Sequence, residues 1–167
     1  KTLDDEQVVT LFAALEKDNK EEEEERQEAL EKSEAQRLKD RIERIQETIR
    51  ERIGDLSKEQ KQIVSTYAQQ FISTGDAWIT YRRNIQNAAR KLFVSRKQNE
   101  RFEQELVVLM QNPDNYKSDV YKQSSAHNMT VTATLLAEIF STLSEKQRQT
   151  LIENVDELIE TVDNFMD

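Results

Sequence analysis

A five-residue pattern recurs three times along the chain: leucine, a helix-capping residue, two polar residues and a glutamine. It reads Leu3-Asp4-Asp5-Glu6-Gln7, Leu56-Ser57-Lys58-Glu59-Gln60 and Leu143-Ser144-Glu145-Lys146-Gln147. In each copy the second residue can accept a hydrogen bond from a free backbone N–H. The glutamine three positions on can reach back to the cap's own N–H, which makes a capping box. Each copy precedes a run of apolar residues at helical spacing, so the pattern marks three helix starts. The copies lie 53 and 87 residues apart, and unequal intervals do not make a solenoid of fixed period.

The longest run follows the second copy. Ile63, Tyr67, Phe71, Gly75, Trp78, Arg82, Ile85, Ala89 and Leu92 follow one another in steps of three or four, which is one face of a helix. The spacing predicts one continuous helix over 57–95, roughly 58 Å long at about 1.5 Å per residue. Gly75 falls on the periodic face and reads as a close approach or a kink, at a cost of about 1 kcal/mol against Ala.

Upstream, Leu38, Ile42, Ile45, Ile49 and Ile53 form a second strong stripe, stopped by Gly54. Val8, Leu11, Phe12 and Leu15 open the first run. The pattern fades over Glu16–Arg37, where the acidic run Glu21–Glu25 reads as a solvated helix face. Residues 4–53 are therefore one very long helix or two. Their C-terminal half is expected to pack antiparallel to 57–95 through the tight Gly54-Asp55-Leu56 connection.

Downstream, a helix is expected at about 98–111 with Phe102, Leu106, Leu109 and Met110 inward. Pro113 is placed to begin the next helix, which runs to about Phe140. Its face reads Tyr116, Val120, Ser124, His127, Val131, Leu135 and Ile139. The last helix follows Ser144, with Leu151, Val155, Leu158, Val162 and Phe165 close to a heptad seam.

Helix breakers are nearly missing, with two Gly and one Pro in 167 residues, and charged residues (34%) almost equal hydrophobic ones (36%). That balance predicts an all-α chain with a narrow core. The expected architecture is an elongated antiparallel helical bundle of about five helices, with long helices near 4–53 and 57–95. It reads as a single domain over 1–167, in which 1–37 is a projecting or partly disordered charged helix and 38–167 is the packed bundle.

Charge is unevenly spread. Residues 1–55 carry 11 basic and 18 acidic groups, residues 56–123 carry 11 and 7, and residues 124–167 carry 2 and 8. A basic middle between acidic ends suits intramolecular pairing of helices and argues against nucleic-acid binding. The stretch 82–101 holds Arg82, Arg83, Arg90, Lys91, Arg96, Lys97 and Arg101 with Glu100 as its single acid. It is a candidate surface for an anionic partner, or else the complement of the acidic helices. Trp78 and Tyr81 precede Arg82 and Arg83, a combination that suits a binding hot spot or a core with cation–π support.

Enzyme chemistry finds little footing. There is no Cys, His127 is the single His, and no HExxH, P-loop, GxGxxG or GxSxG motif occurs. His127 reads as a satisfied polar residue in a helix interface. No catalytic, cofactor-binding or metal-binding residues are assigned. The candidate partner-binding residues are Trp78, Tyr81, Arg82, Arg83, Arg90 and Lys91, and the helix-capping motif residues are Ser57, Gln60, Ser144 and Gln147. No run of about 18 apolar residues is present to span a membrane.

Several of these marks coincide in one family. Leu143-Ser144-Glu145-Lys146-Gln147 before a terminal helix, Trp78-x-x-Tyr81-Arg82, Leu106-x-x-Leu109 before Asn112-Pro113, and Asn128 midway in the next helix together resemble a family of helical lipoproteins of Gram-negative bacteria, itself a domain of unknown function. The resemblance covers most of residues 50–167 and weakens in the Glu-rich first helix. It implies a location on the periplasmic side of the cell envelope and membrane association through a lipidated Cys upstream of Lys1. The Leu-Ser-x-x-Gln segments are also similar to the Leu-Thr-x-x-Gln motif of periplasmic proteins of the Spy and CpxP type, with Ser in place of Thr. That similarity implies an ATP-independent chaperone or adaptor role.

The expected function is a non-enzymatic, envelope-facing helical domain that binds a protein partner or an unfolded client. The alternative is a peripheral binder of anionic lipid or envelope polymer through residues 82–101.

Overall fold

The computed structural model describes residues 3–166. Among the described residues the fold is all-α: α1 (Asp5–Glu31), α2 (Glu34–Ile53), α3 (Lys58–Ala68), α4 (Gly75–Ser95), α5 (Phe102–Gln111), α6 (Asp119–Ser141) and α7 (Glu145–Met166), with a 3₁₀ turn at Pro113–Tyr116. The helices group into two compact units. One is Lys1–Lys32 with Ser73–Ala126, and the other is Ser33–Ile72 with His127–Asp167.

Both of the expected long helices are divided, which brings the count to seven. The first breaks at Lys32, which is extended (φ −67°, ψ 144°), and Ser33 then caps α2 by accepting from Gln36 N–H at 3.2 Å. Ser33-Glu34-Ala35-Gln36 is the cap-x-x-Gln pattern again, with Lys32 where the other copies have Leu. No apolar stripe crosses this point to favour continuity, so a cap worth about 1 kcal/mol decides the matter.

The second break is between Ala68 and Gly75, and the apolar period conceals it. The peptide groups that leave the helix there are satisfied by side chains from distant parts of the chain. Arg41 donates to the carbonyls of Ala68 and Phe71 at 2.9 and 3.0 Å. His127 Nε2 donates to the Gln70 carbonyl at 2.9 Å. The Asn128 amide accepts from Ile72 N–H at 2.9 Å and donates to Ile72 C=O at 2.8 Å. With these partners supplied, ending α3 leaves those groups bonded. Gly75 is thus neither a mid-helix kink nor an interruption, but the first residue of α4. The close approach is real: a Cβ at Gly75 would stand 3.0 Å from Arg26 Nε.

The unit that contains α2 and α7 carries the larger apolar core. Ile49 and Ile53 of α2, Val64 of α3, and Leu135 and Ile139 of α6 are buried together. Ile42, Ile45, Leu56, Ile63, Tyr67, Leu143 and Leu151 pack around them. Burial of each such aliphatic side chain contributes about 1.5–3 kcal/mol. Ile49, Ile53, Leu135 and Ile139 lie on the stripes expected from the sequence, whereas in α3 Val64 is the buried residue and the expected Ile63 and Tyr67 are only partly buried. Gly54 ends α2 as expected, its N–H bonded to Arg50 C=O. Tyr67 donates to the Glu138 carboxylate at 2.5 Å, and the partner holds the phenol above its usual pKa.

In the other unit α1 lies against α4 rather than projecting, with Val8 and Phe12 buried. Leu109 is the buried residue of α5, whereas Met110, expected inward, is exposed. Pro113 opens the 3₁₀ turn and α6 starts only at Asp119, which leaves Val120 exposed instead of on the inner face.

The two glycines should respond differently to alanine. Gly54 sits at φ 81°, ψ −164°, a region essentially closed to residues with a Cβ. Gly54→Ala is expected to cost about 1–3 kcal/mol, read from chemical denaturation. Gly75→Ala has no backbone strain and presses on the Arg26 side chain that pairs with Asp76, so it should cost clearly less than Gly54→Ala. Equal effects would argue against a strained turn at Gly54.

Candidate functional site

All three capping boxes form. Asp4 with Gln7, Ser57 with Gln60 and Ser144 with Gln147 each exchange the two hydrogen bonds of the motif, at 2.8–3.2 Å. The second and third boxes also do more than cap. Gln60 (0% exposed) and Gln147 (8% exposed) face each other inside their unit. Gln60 Nε2 donates to Gln147 Oε1 at 3.1 Å, and Gln147 Nε2 donates to Gln60 Oε1 at 3.0 Å. The remaining amide hydrogens go to Thr142, at 3.3–3.4 Å, and to the Asp55 carbonyl, at 2.9 Å. Each oxygen also accepts from its own cap's backbone N–H. The amides therefore use their full capacity of two donors and two acceptors.

Arg82, Arg83 and Arg90 of α4, and Arg96 and Lys97 just past its end, are turned toward α1. Arg82 meets Glu22 at 2.5 Å and Asp18 at 3.8 Å, and Arg83 meets Glu23 at 2.5 Å and Glu16 at 3.1 Å. Arg96 and Lys97 both bind Asp5. At the opposite end the polarity reverses, with Arg26 of α1 bidentate on Asp76 at 2.7 and 2.9 Å. Partner numbers fall along α4 as they rise along α1, so the two helices run antiparallel. Between the ion pairs, buried Asn19 donates to Gln86 at 2.5 Å. Phe12 packs edge-on to Phe93, with the Arg90 guanidinium 5.1 Å from its ring centroid. Lys91 is exposed.

Trp78 and Tyr81 go elsewhere. With Tyr121 they form a three-ring cluster, centroids 5.5–6.5 Å apart. Its cation is Lys117, 5.6 and 5.8 Å from the Tyr81 and Tyr121 rings. The structure thus separates the aromatic pair from the arginines that follow it in sequence. The place of Tyr121 and Lys117 in the cluster has no local signature in the sequence. Likewise Arg41 carries no pattern that announces its two backbone carbonyls.

α7 exposes Ile152, Val155, Leu158, Ile159, Val162 and Phe165. Leu151 packs on the core, and Asn154 donates to the carbonyls of Arg52 and Glu51 at the end of α2. Beyond it every described side chain to Phe165 is exposed. Among the described residues no group of three or more His, Cys, Asp and Glu is placed to hold a metal ion, and no helix is long and apolar enough to cross a membrane.

Two outcomes are expected from these contacts. Gln60→Leu or Gln147→Leu alone leaves the opposite amide short of a partner in the interior and should cost about 1–3 kcal/mol. The double substitution should cost clearly less than the sum of the two, as a double-mutant cycle would show; additivity would mean that the amides act independently. In the α1–α4 pair, Lys97 and Arg96 on Asp5, Arg83 on Glu23 and Arg26 on Asp76 hold these carboxyls below their ordinary values. A depressed carboxyl stabilises the fold above its ordinary pKa of 3.8 (Asp) or 4.5 (Glu), and that stability is lost as pH falls through the depressed value. Hydrogen exchange of α1 amides should therefore accelerate below about pH 4, beyond the intrinsic pH effect, and added salt should weaken protection at neutral pH.

The sequence matches, over residues 1–122, the family described as a family of unknown function (DUF6279). The match covers 1–122 and not the expected 50–167: it includes the Glu-rich first helix and stops at the start of α6. No curated protein and no solved structure matches the chain. The segment that carries the α1–α4 ion pairs, the first two capping boxes and the aromatic cluster is the part the family shares, and the chain belongs to DUF6279.

Proposed function

We propose that this chain is a non-enzymatic protein-binding domain on the periplasmic side of the bacterial cell envelope, acting as a scaffold or an ATP-independent holdase. The observation that carries this reading is the apolar seam of α7. Val155, Leu158, Val162 and Phe165 lie on one side of a regular helix and are exposed, Leu158 at 62% and Phe165 at 87%. A continuous apolar stripe that finds no cover in its own fold is the usual mark of a surface that meets another protein. The Leu-Ser-x-x-Gln segments add an analogy with Spy and CpxP type proteins, and the envelope location rests on the resemblance to helical lipoproteins of Gram-negative bacteria. Membrane association, on this reading, comes through a lipid anchor upstream of the segment.

The alternative of an anionic lipid or polymer as partner draws less support. Arg82, Arg83, Arg96 and Lys97 spend their charge on α1, so reversing Arg82 or Arg83 should lower the melting temperature.

The test is suppression of aggregation of an unfolding client by the purified chain without ATP. Near-stoichiometric protection is expected, largely lost in the Leu158→Asn/Val162→Asn double variant, whose exposed positions leave the fold intact. Absence of protection, or full protection by the variant, would refute the holdase form of the proposal.

A further inference from the structure

The occupant of the α7 seam has a charge requirement. From Gln149 onward α7 carries no Lys or Arg, and it holds Glu153, Asp156, Glu157, Glu160 and Asp163. At about 100° per residue, Leu151, Ile152, Val155, Leu158, Ile159, Val162 and Phe165 fill one continuous arc. Asp156 and Asp163 lie along the edge of that arc beside Ile152 and Ile159, and the remaining acids lie further round. The opposite edge is neutral, with Asn154 and Thr161. The stripe is thus wide, regular and bordered by negative charge alone.

That border discriminates among occupants. A second copy of α7, in either orientation, would bring two acidic seams together, because the basic residues of the helix, Lys146 and Arg148, lie at its N-terminal end before the exposed stripe. An anionic membrane surface is disfavoured by the same charge. A partner helix with apolar residues at i, i+3, i+4 and i+7 and Lys or Arg beside them satisfies both the stripe and its rim. We infer that the α7 seam is a docking surface for a basic amphipathic helix of a partner protein. The inference rests on the protein-binding reading above and specifies the chemistry of the partner.

The test uses the full chain and synthetic peptides. One peptide is an amphipathic helix with leucine at the seam positions and lysine beside them. A second has the same leucines with glutamate beside them. Binding is followed by fluorescence anisotropy, and circular dichroism verifies that variants are folded. The lysine peptide should bind and the glutamate peptide should not. Leu158→Asn/Val162→Asn should weaken binding by about tenfold or more. Asp156→Asn/Asp163→Asn should weaken it by roughly threefold or more and flatten its salt dependence.

Equal binding of the two peptides, or binding indifferent to Leu158→Asn/Val162→Asn, would overturn the inference. So would concentration-dependent dimerisation abolished by the same variant, because a second copy would then be the occupant. Client protection retained without peptide binding removes this inference and leaves the protein-binding reading standing. Loss of both removes both.

Discussion

The reciprocal amide pair of Gln60 and Gln147 is the contact on which the organisation of its unit depends. Two glutamines from segments 87 residues apart meet away from water, and a buried amide is tolerated only when its hydrogen-bonding groups are satisfied. Here each amide also closes the capping box of its own helix. The start of α3 and the start of α7 are therefore fixed to each other, and the ends of α2 and α6 are drawn in through Asp55 and Thr142. The cluster of Ile49, Ile53, Val64, Leu135 and Ile139 gives the unit its apolar driving force. Because the amide pairing is directional, it specifies which helix ends come together.

The α1–α4 pair is held by a different balance of forces. Its buried apolar content is thin, and an alternation of ion pairs, a hydrogen bond between the Asn19 and Gln86 amides and an edge-on aromatic contact runs between the helices. Exposed ion pairs individually contribute little because water and salt screen them. Their larger effect is on orientation. Basic residues of α4 meet acids of α1, Asp76 meets Arg26, and a parallel arrangement would place like charges together. The sensitivity of this pair to acid and salt follows from that dependence on charge.

Local signals are legible in the sequence, and distant ones are not. Three capping boxes, the Gly54 stop, and the apolar stripes that carry Ile49 and Ile53 on α2 and Leu135 and Ile139 on α6 are legible because each is a statement about residues within one or two turns; Val64, one position from the expected Ile63, is not. The division at Ser33 was legible too, since Ser33-Glu34-Ala35-Gln36 repeats the pattern that marks the other starts. It was obscured by the missing leucine and by a Gln36 amide that turns to Asp40 instead of its cap. The division at 69–74 was not legible. Its peptide groups are met by Arg41, His127 and Asn128, and no pattern within the segment reveals partners so far away.

The candidate binding residues divide in the same way. Pairing of Arg82 and Arg83 with acidic residues was implicit in the charge distribution along the chain. The association of Trp78 and Tyr81 with Tyr121 and Lys117 depended on how α4 meets the 3₁₀ turn and the first turn of α6 within one unit.

By itself the sequence determined that this chain is helical, where three of its helices begin, which stripes are apolar and which segments carry opposite charge. These follow from dihedral preference, capping and periodicity, which act over a few residues. Only the tertiary structure decided that two capping glutamines bond to each other, that the apparent single helix over 57–95 is two, and that the heptad stripe of α7 stays uncovered. Those outcomes turn on which distant groups satisfy a buried amide, a freed carbonyl or an apolar face, and that information lies in the packing rather than in any one segment.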